Sequence, residues 1–486
     1  MQNSIQIDLD RTLGTIDRNL FGGFAEHLGR CIYGGVYEPG SPLAGEDGFR
    51  RDVLDALRRL RMPLIRYPGG NFVSGYRWRD GVGPKEERQA RADLAWNSTE
   101  PNTFGTNEFV DFCRKLGTEP YLAVNCGDGD MREARDWVEY CNGTQDTALV
   151  KLRKSHGYEA PHQVKYWGIG NEVDGHWQIG HKTPQEYARA YTEFGKVMRW
   201  VDPSIKLLAS ANSSWAPDWV ERAQLLMEQA GDLIDYMAIH WYVGNREKDF
   251  ARYMALSEEF EARLSATEGL IKAMTLARGL KRRPAVAVDE WNVWYRAGGE
   301  EGLEEVYNLE DALVVALQMN AFLRHADGVK MANLAQIVNV IAPVMTSPQG
   351  LVLQTIFHPF ELYSQRCGTV SLDASWKGDT FDGGSHTGLR VLDVAASLNP
   401  ETQEVALFIV NRSKGQGIEA EVKLAEGSFR GPAKAAVVNG PDVEAANTFE
   451  APEAVGTRES EVAAEGRSLV LQLEPHSVTV VTCGIG

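Results

Sequence analysis

Val164-Lys165-Tyr166-Trp167-Gly168-Ile169 leads into Gly170-Asn171-Glu172, then a helix-patterned stretch over 184–201, then a second apolar run over 206–211. The fold is decided on this segment. Short unbroken apolar runs of this kind read as strands buried on both faces. Between them Tyr187, Tyr191, Phe194, Met198 and Val201 recur at three/four spacing, which predicts an amphipathic helix. Thr183-Pro184-Gln185-Glu186 supplies its start, a capping box with proline at the first helical position. Strand, helix and strand without a hairpin turn make a crossover unit, so the two strands pair in parallel.

The same texture extends both ways. Apolar runs at 19–25, 62–67 and 120–125 precede the segment, and runs at 236–241, 284–288 and 329–336 follow it. Eight strand–helix units suggest a (β/α)8 TIM barrel over 16–370, within the α/β class. The rival is an open doubly wound sheet, against which stands the absence of a strand–GxGxxG–helix fingerprint. Beyond 370 a Gly-, Asp- and Ser-rich stretch (375–385) gives way to short alternating runs at 389–395, 405–410, 420–424, 433–438, 469–473 and 478–482. These predict a C-terminal antiparallel β-sandwich over 371–486. Ile5, Ile7 and Leu9 alternate with polar neighbours, so the strand within 1–15 is expected to complete that second domain.

Composition narrows the partners. The 486 residues carry a formal net charge of −17 with no Lys/Arg-rich run, which argues against nucleic acid. No run approaches the ~18 apolar residues of a membrane span, and residues 1–10 lack the basic and apolar regions of a signal peptide. No membrane partner and a cytoplasmic location are expected. Six cysteines without a CxxC pair read as reduced core residues, Cys126 among them. There is no HExxH, GxSxG or dinucleotide motif, so neither metal nor cofactor is expected. His156 and His162 read as solvated loop residues, and Asp128-Gly129-Asp130 as the cap of a helix starting near Met131 rather than a calcium loop.

Polar groups at the C-terminal ends of barrel strands point into the mouth where chemistry occurs. Here those ends are Glu26-His27, Pro68-Gly69-Gly70-Asn71, Gly170-Asn171-Glu172, His240-Trp241-Tyr242, Asp289-Glu290-Trp291-Asn292 and Gln336. A single acid after a strand is often only a helix cap. Two glutamates facing one mouth after strands four and seven suit glycoside hydrolysis, which needs one carboxyl to protonate the leaving oxygen and another to attack the anomeric carbon.

The ordered set of motifs resembles the α-L-arabinofuranosidases of glycoside hydrolase family 51. It comprises Phe21-Gly22-Gly23-Phe24-Ala25-Glu26-His27, Arg66-Tyr67-Pro68-Gly69-Gly70-Asn71, Gly168-Ile169-Gly170-Asn171-Glu172, Ile239-His240-Trp241-Tyr242, Val288-Asp289-Glu290-Trp291-Asn292-Val293-Trp294 and Asn308-Leu309-Glu310-Asp311-Ala312. The resemblance implies a retaining enzyme that releases terminal α-L-arabinofuranosyl groups from oligosaccharides, arabinoxylan or arabinan. Glu172 is then the acid/base and Glu290 the nucleophile. By the same matching Asn171 bonds the sugar 2-hydroxyl, Tyr242 orients Glu290, and His240 lies beside both carboxylates. Glu26, Asn71 and Gln336 hold furanose hydroxyls, while Trp96 and Trp294 form apolar walls. A homo-oligomer, commonly a hexamer, is implied too. The chain departs from the pattern at Gly70, where the family often has cysteine. Two other readings fit the residues: a barrel hydrolase of different specificity, such as an endo-glucanase or β-xylosidase, and a non-catalytic carbohydrate-binding protein.

Overall fold

Eight parallel strands close into a barrel, each paired with the next in sequence: Gly22–Phe24, Leu64–Tyr67, Glu119–Val124, Tyr166–Ile169, Lys206–Asn212, Tyr236–Val243, Ala285–Val293 and Val329–Ala335. They are called strands one to eight below. The structure is a computed structural model and describes residues 3–297 and 303–486. All eight sequence-predicted strands are present, and the ring is closed by strand eight pairing with strand one. Leu64, Tyr121, Tyr166, Leu208, Ala287 and Met331 fill one end of the barrel interior. The helix Pro184–Val201 forms with its capping box, Thr183 N–H donating to Glu186 Oε2 at 2.8 Å. Its Tyr187 hydroxyl donates to the Ile169 carbonyl at 2.6 Å and accepts the Ser210 N–H at 2.7 Å, tying strands four and five together. Burying each of its large apolar side chains contributes about 1.5–3 kcal/mol.

Strand seven differs from expectation in a way that matters for the site. It runs on to Val293, because Trp291 and Val293 keep pairing with Trp241 and Val243 of strand six. The register slips between Val288 and Glu290, leaving Asp289 as the extra residue of a bulge. In a regular strand Asp289 and Glu290 would face opposite sides. The bulge turns both toward the barrel interior.

In the C-terminal part ten strands form one continuous sheet, and Ser4–Thr15 is among them, antiparallel to Val370–Lys377 and parallel to Ile418–Leu424. Residues 1–2 lie outside the described residues. A short hairpin, Thr380–Gly383 with His386–Arg390, occupies the stretch that reads only as a turn-rich connection. The helix Leu309–Arg324 is buried from Leu309 to Leu323, consistent with its apolar character all round.

Two smaller expectations resolve in opposite directions. Asp130 does cap the helix Met131–Asn142, accepting from Glu133 N–H at 2.9 Å. His162 is not solvated: it is buried, hydrogen-bonded through Nε2 to Asn107, and burial pushes its pKa down to about 3. The chain segment around it folds back under Cys141, whose carbonyl accepts the His162 N–H. All six cysteines are free, five of them buried.

Candidate active site

Strand seven places Glu290 level with its register partner His240 on strand six. Strand four ends at Ile169, after which Glu172 adopts a left-handed backbone (φ 42°), a conformation that costs a non-glycine residue of order 1–3 kcal/mol and recurs at functional sites. The turn is held by the Gly175 N–H on the Glu172 carbonyl and by Asp174, whose carboxylate accepts from the backbone and hydroxyls of Ser213 and Ser214. Glu172, His240 and Glu290 consequently converge. His240 Nδ1 lies 2.9 Å from Glu172 Oε1 and 3.6 Å from Glu290 Oε2, and one carboxylate oxygen of each glutamate falls within 4.8 Å of the other. With acceptors on both sides, Nδ1 is the ring nitrogen that carries the hydrogen.

The two glutamates live in unlike surroundings. Glu290 is fully buried, and burial alone would raise its pKa. The charges of His240 and Arg66 and the hydroxyl of Tyr242 outweigh burial and hold it below the ordinary value. Arg66 donates to Glu290 Oε1 and Tyr242 to Oε2, both at 2.7 Å. His240 is displaced upward: burial opposes its charge, but Glu290 and Glu172 prevail. Glu172 is more open and accepts a second hydrogen bond, from Trp177 Nε1 to Oε2 at 2.6 Å.

Beneath them Arg66 spans the barrel, reaching Asn171 Oδ1 at 2.5 Å with Nη2 and Asp289 with Nε at 3.4 Å. Asp289 is also held by the Tyr121 hydroxyl (2.9 Å) and Asn333 Nδ2 (2.8 Å). Asn171 thereby keeps Nδ2 facing the mouth, buried and without a partner in the protein among the described residues. Such a donor suits a ligand hydroxyl.

On the far side Glu26 accepts from Phe72 N–H (3.0 Å), Trp96 Nε1 (2.9 Å) and Gln336 Nε2 (3.2 Å). Burial, reinforced by the charge of Glu290, raises its pKa to about 7 against those donors. Trp96 sits in the turn of a hairpin, Arg91–Asp93 with Ser98–Glu100, that folds over the mouth. That hairpin is pinned by Glu100 on His27, 2.7 Å apart. Asn71 opens the 3-10 turn after Gly70 and is half-buried. Trp294 lies edge-on to Tyr242, ring centres 5.8 Å apart, and is partly exposed.

Glu172, His240, Glu290 and Tyr242 are thus linked by direct contacts, with Asn171 joined to them through Arg66. Glu26, Trp96 and Gln336 form a second linked set that faces the first across Gly70, with Asn71 and Trp294 alongside. Sequence reasoning did not single out Arg66, Asp289 or Trp177. Arg66 carried a signal, being a charge inside an otherwise apolar strand, where an unpaired ion would be costly. Asp289 was hidden by the bulge, and Trp177 by a loop without periodicity. The arrangement offers one carboxylate held ionised, a second carboxyl within reach of solvent, and buried hydroxyl-binding groups between them. That is the equipment of glycosyl transfer to water.

Comparison with known proteins agrees. Residues 56–263 match the family model described as α-L-arabinofuranosidase 1 domain, and residues 289–477 the α-L-arabinofuranosidase C-terminal domain. A relative named intracellular exo-α-(1→5)-L-arabinofuranosidase, from Halalkalibacterium halodurans, is 42% identical over 441 residues, 87% of each chain. The crystal structure of an α-L-arabinofuranosidase from Thermotoga maritima in complex with arabinose superposes with a TM-score of 0.92 at 36% identity, covering 99% of both chains. A thermostable family 51 α-L-arabinofuranosidase from Thermotoga petrophila gives the same TM-score and identity, covering 99% of this chain and 100% of its own. By sequence and by fold, this chain belongs to the α-L-arabinofuranosidases of glycoside hydrolase family 51.

Proposed function

We propose that the chain is a retaining α-L-arabinofuranosidase that removes terminal non-reducing α-L-arabinofuranosyl groups from oligosaccharides and hemicellulose, with Glu290 as nucleophile and Glu172 as acid/base. The observation that carries this reading is that one oxygen of each carboxylate lies within 4.8 Å of the other, in keeping with the ~5–5.5 Å spacing of a retaining pair rather than the ~6.5–9.5 Å of an inverting one. The unequal surroundings support this division of roles. Glu290, doubly gripped and ionised, attacks the anomeric carbon, while Glu172 gives its proton to the leaving glycosidic oxygen as the carbon–oxygen bond breaks. The glycosyl ester on Glu290 is then opened by water, which loses its proton to Glu172, and both groups return to their starting states. Asn171 Nδ2 takes the sugar 2-hydroxyl, and Glu26, Asn71 and Gln336 the remaining hydroxyls. Trp96 and Trp294 wall the sugar and its aglycone.

Turnover of aryl α-L-arabinofuranoside above the matching β-xyloside and β-glucoside tests the substrate. Preference for either of the latter overturns the furanose assignment. Glu172→Ala should lose most activity on substrates with alkoxide leaving groups, keep glycosylation by a dinitrophenyl arabinofuranoside, and yield a glycosyl azide when azide is added. Equal losses on both substrates without azide rescue contradict its role.

The same reading treats 16–370 as the catalytic barrel and 371–486, completed by 1–15, as a second domain. It places the protein in the cytoplasm as a homo-oligomer, the hexamer implied by the family. The relative named as intracellular supports the location. Among the described residues no helix is long and apolar enough to cross a membrane. Sedimentation of the purified protein checks the assembly.

A further inference from the structure

The half-exposed Trp177 stands in a loop fastened on either side of it. Asp174 is clasped by Ser213 and Ser214, Val173 accepts the Lys182 N–H at 2.8 Å, and Gln178 reaches the Ser74 hydroxyl. Trp177 itself is 47% exposed, yet its indole is not free to wander. It lies flat against Gly175, where an added Cβ would fall 2.4 Å from Cε2 and 2.5 Å from Cζ2, so only glycine leaves room for the ring. The seat aims Nε1–H at Glu172 Oε2, 2.6 Å away.

We propose that Trp177 is a positioning residue for Glu172: it holds the oxygen that exchanges the proton with the leaving group and with the attacking water. The inference rests on Glu172 being the acid/base. Glu172 Oε1 already accepts from His240 Nδ1, which points into the protein, so Oε2 is the oxygen on the solvent side where an aglycone must lie. An indole N–H donates and cannot accept. It therefore stabilises the carboxylate over the acid. The same oxygen must give its proton in the first step and take one from water in the second, so a carboxyl left free to rotate slows both. The glycosidic oxygen of a bound substrate competes for the same side of Oε2.

Among the described residues the titratable groups that face Glu172 are His240 and Tyr242 from strand six and Glu290 from strand seven, with Arg66 from strand two and Glu26 after strand one acting on those three. His176 packs against the Trp177 ring in the loop itself. None of them is altered by replacing the indole with a phenyl ring, which keeps an aromatic face on Gly175 and removes only the N–H.

Trp177→Phe, assayed as the full-length protein, should move the alkaline limb of kcat/KM up by about 0.5–1 pH unit, the size of one hydrogen bond to a carboxylate. Its acid limb should stay in place. With a dinitrophenyl arabinofuranoside, whose glycosylation needs no acid, kcat should fall about 3- to 10-fold as the base step slows. An unmoved alkaline limb, with activity lost uniformly across leaving groups or not lost at all, overturns the proposal and leaves Trp177 a packing residue. Gly175→Ala, which displaces the indole but keeps the N–H that Gly175 donates to the Glu172 carbonyl, should reproduce the shift. Azide rescue of Glu172→Ala separates the two failures: rescue with no limb shift in Trp177→Phe refutes this inference alone, and absence of rescue refutes the acid/base assignment beneath it.

Discussion

Arg66 donates from Nη1 to Oε1 of Glu290 across 2.7 Å, with both side chains almost wholly buried. A buried ion pair of this kind is weak evidence for stability, because desolvation offsets the attraction. Its consequence is chemical. Arg66 also contacts Asp289 and Asn171, so one guanidinium fixes the nucleophile, its neighbour in the bulge and the amide beside Glu172. The Tyr242 hydroxyl fixes the other oxygen of Glu290.

The pH profile should register that grip. Donors to a carboxylate favour its charged form, so the acid limb of kcat/KM should lie below the ~4.3 of an ordinary glutamate. Tyr242→Phe removes one donor and should raise that limb by about 1 pH unit, with kcat reduced about 10- to 100-fold. A limb that does not move separates Tyr242 from the nucleophile.

Stereochemistry is a second expected outcome. Two displacements at one carbon return the starting configuration. Proton NMR of the first-formed arabinose should show the anomer of the substrate, before mutarotation mixes the two. Inverted product at early times would remove Glu290 from its role.

Much of this was legible in the chain because the barrel repeats one signal eight times, and an apolar run between helical patterns survives errors of two residues at its ends. Glu172 and Glu290 were legible because strand ends define a mouth. What escaped depends on contacts between distant segments. Nothing local says that strand seven bulges at Asp289, since the bulge exists only against strand six. His162 reads as a loop residue, but its partner Asn107 is 55 positions away. The hairpin that brings Trp96 onto Glu26 has strands of three residues each, too short for any periodicity.

Gly70 gives a third prediction. An added Cβ there would lie 3.2 Å from Glu290 Oε1, 3.3 Å from Glu26 Oε2 and 3.5 Å from Asn171 Nδ2, in the space these three groups share. Its backbone, φ −80° and ψ −102°, lies outside the common helical and extended regions, so a side chain there also strains the turn. Gly70→Ala should therefore push the sugar away from all three, cutting kcat/KM by about 10-fold and lowering the melting temperature through strain in the turn. Product inhibition by arabinose should weaken in parallel. Activity within a few-fold of wild type would place the sugar elsewhere.

The last prediction turns on Glu26, whose pKa is raised to about 7 by burial and by Glu290. In the unfolded chain a glutamate titrates near 4.3. Between those values the native state holds a proton that the unfolded state has released, so stability falls as pH rises from about 4.5 to 7. The full span corresponds to roughly 3.5 kcal/mol, about 1.4 kcal/mol per pH unit. Glu26→Gln cannot ionise. It should lose some stability at every pH, since its amide group meets Gln336 Nε2 where the carboxylate accepted a hydrogen bond. Against wild type, though, its melting temperature should climb steadily from pH 4.5 to 7.5, while sugar affinity drops at every pH. That divergence would show a carboxyl kept for binding at the expense of the fold. A melting-temperature difference that stays flat with pH would mean that Glu26 titrates like an exposed glutamate, and that the mouth is wetter than its burial implies.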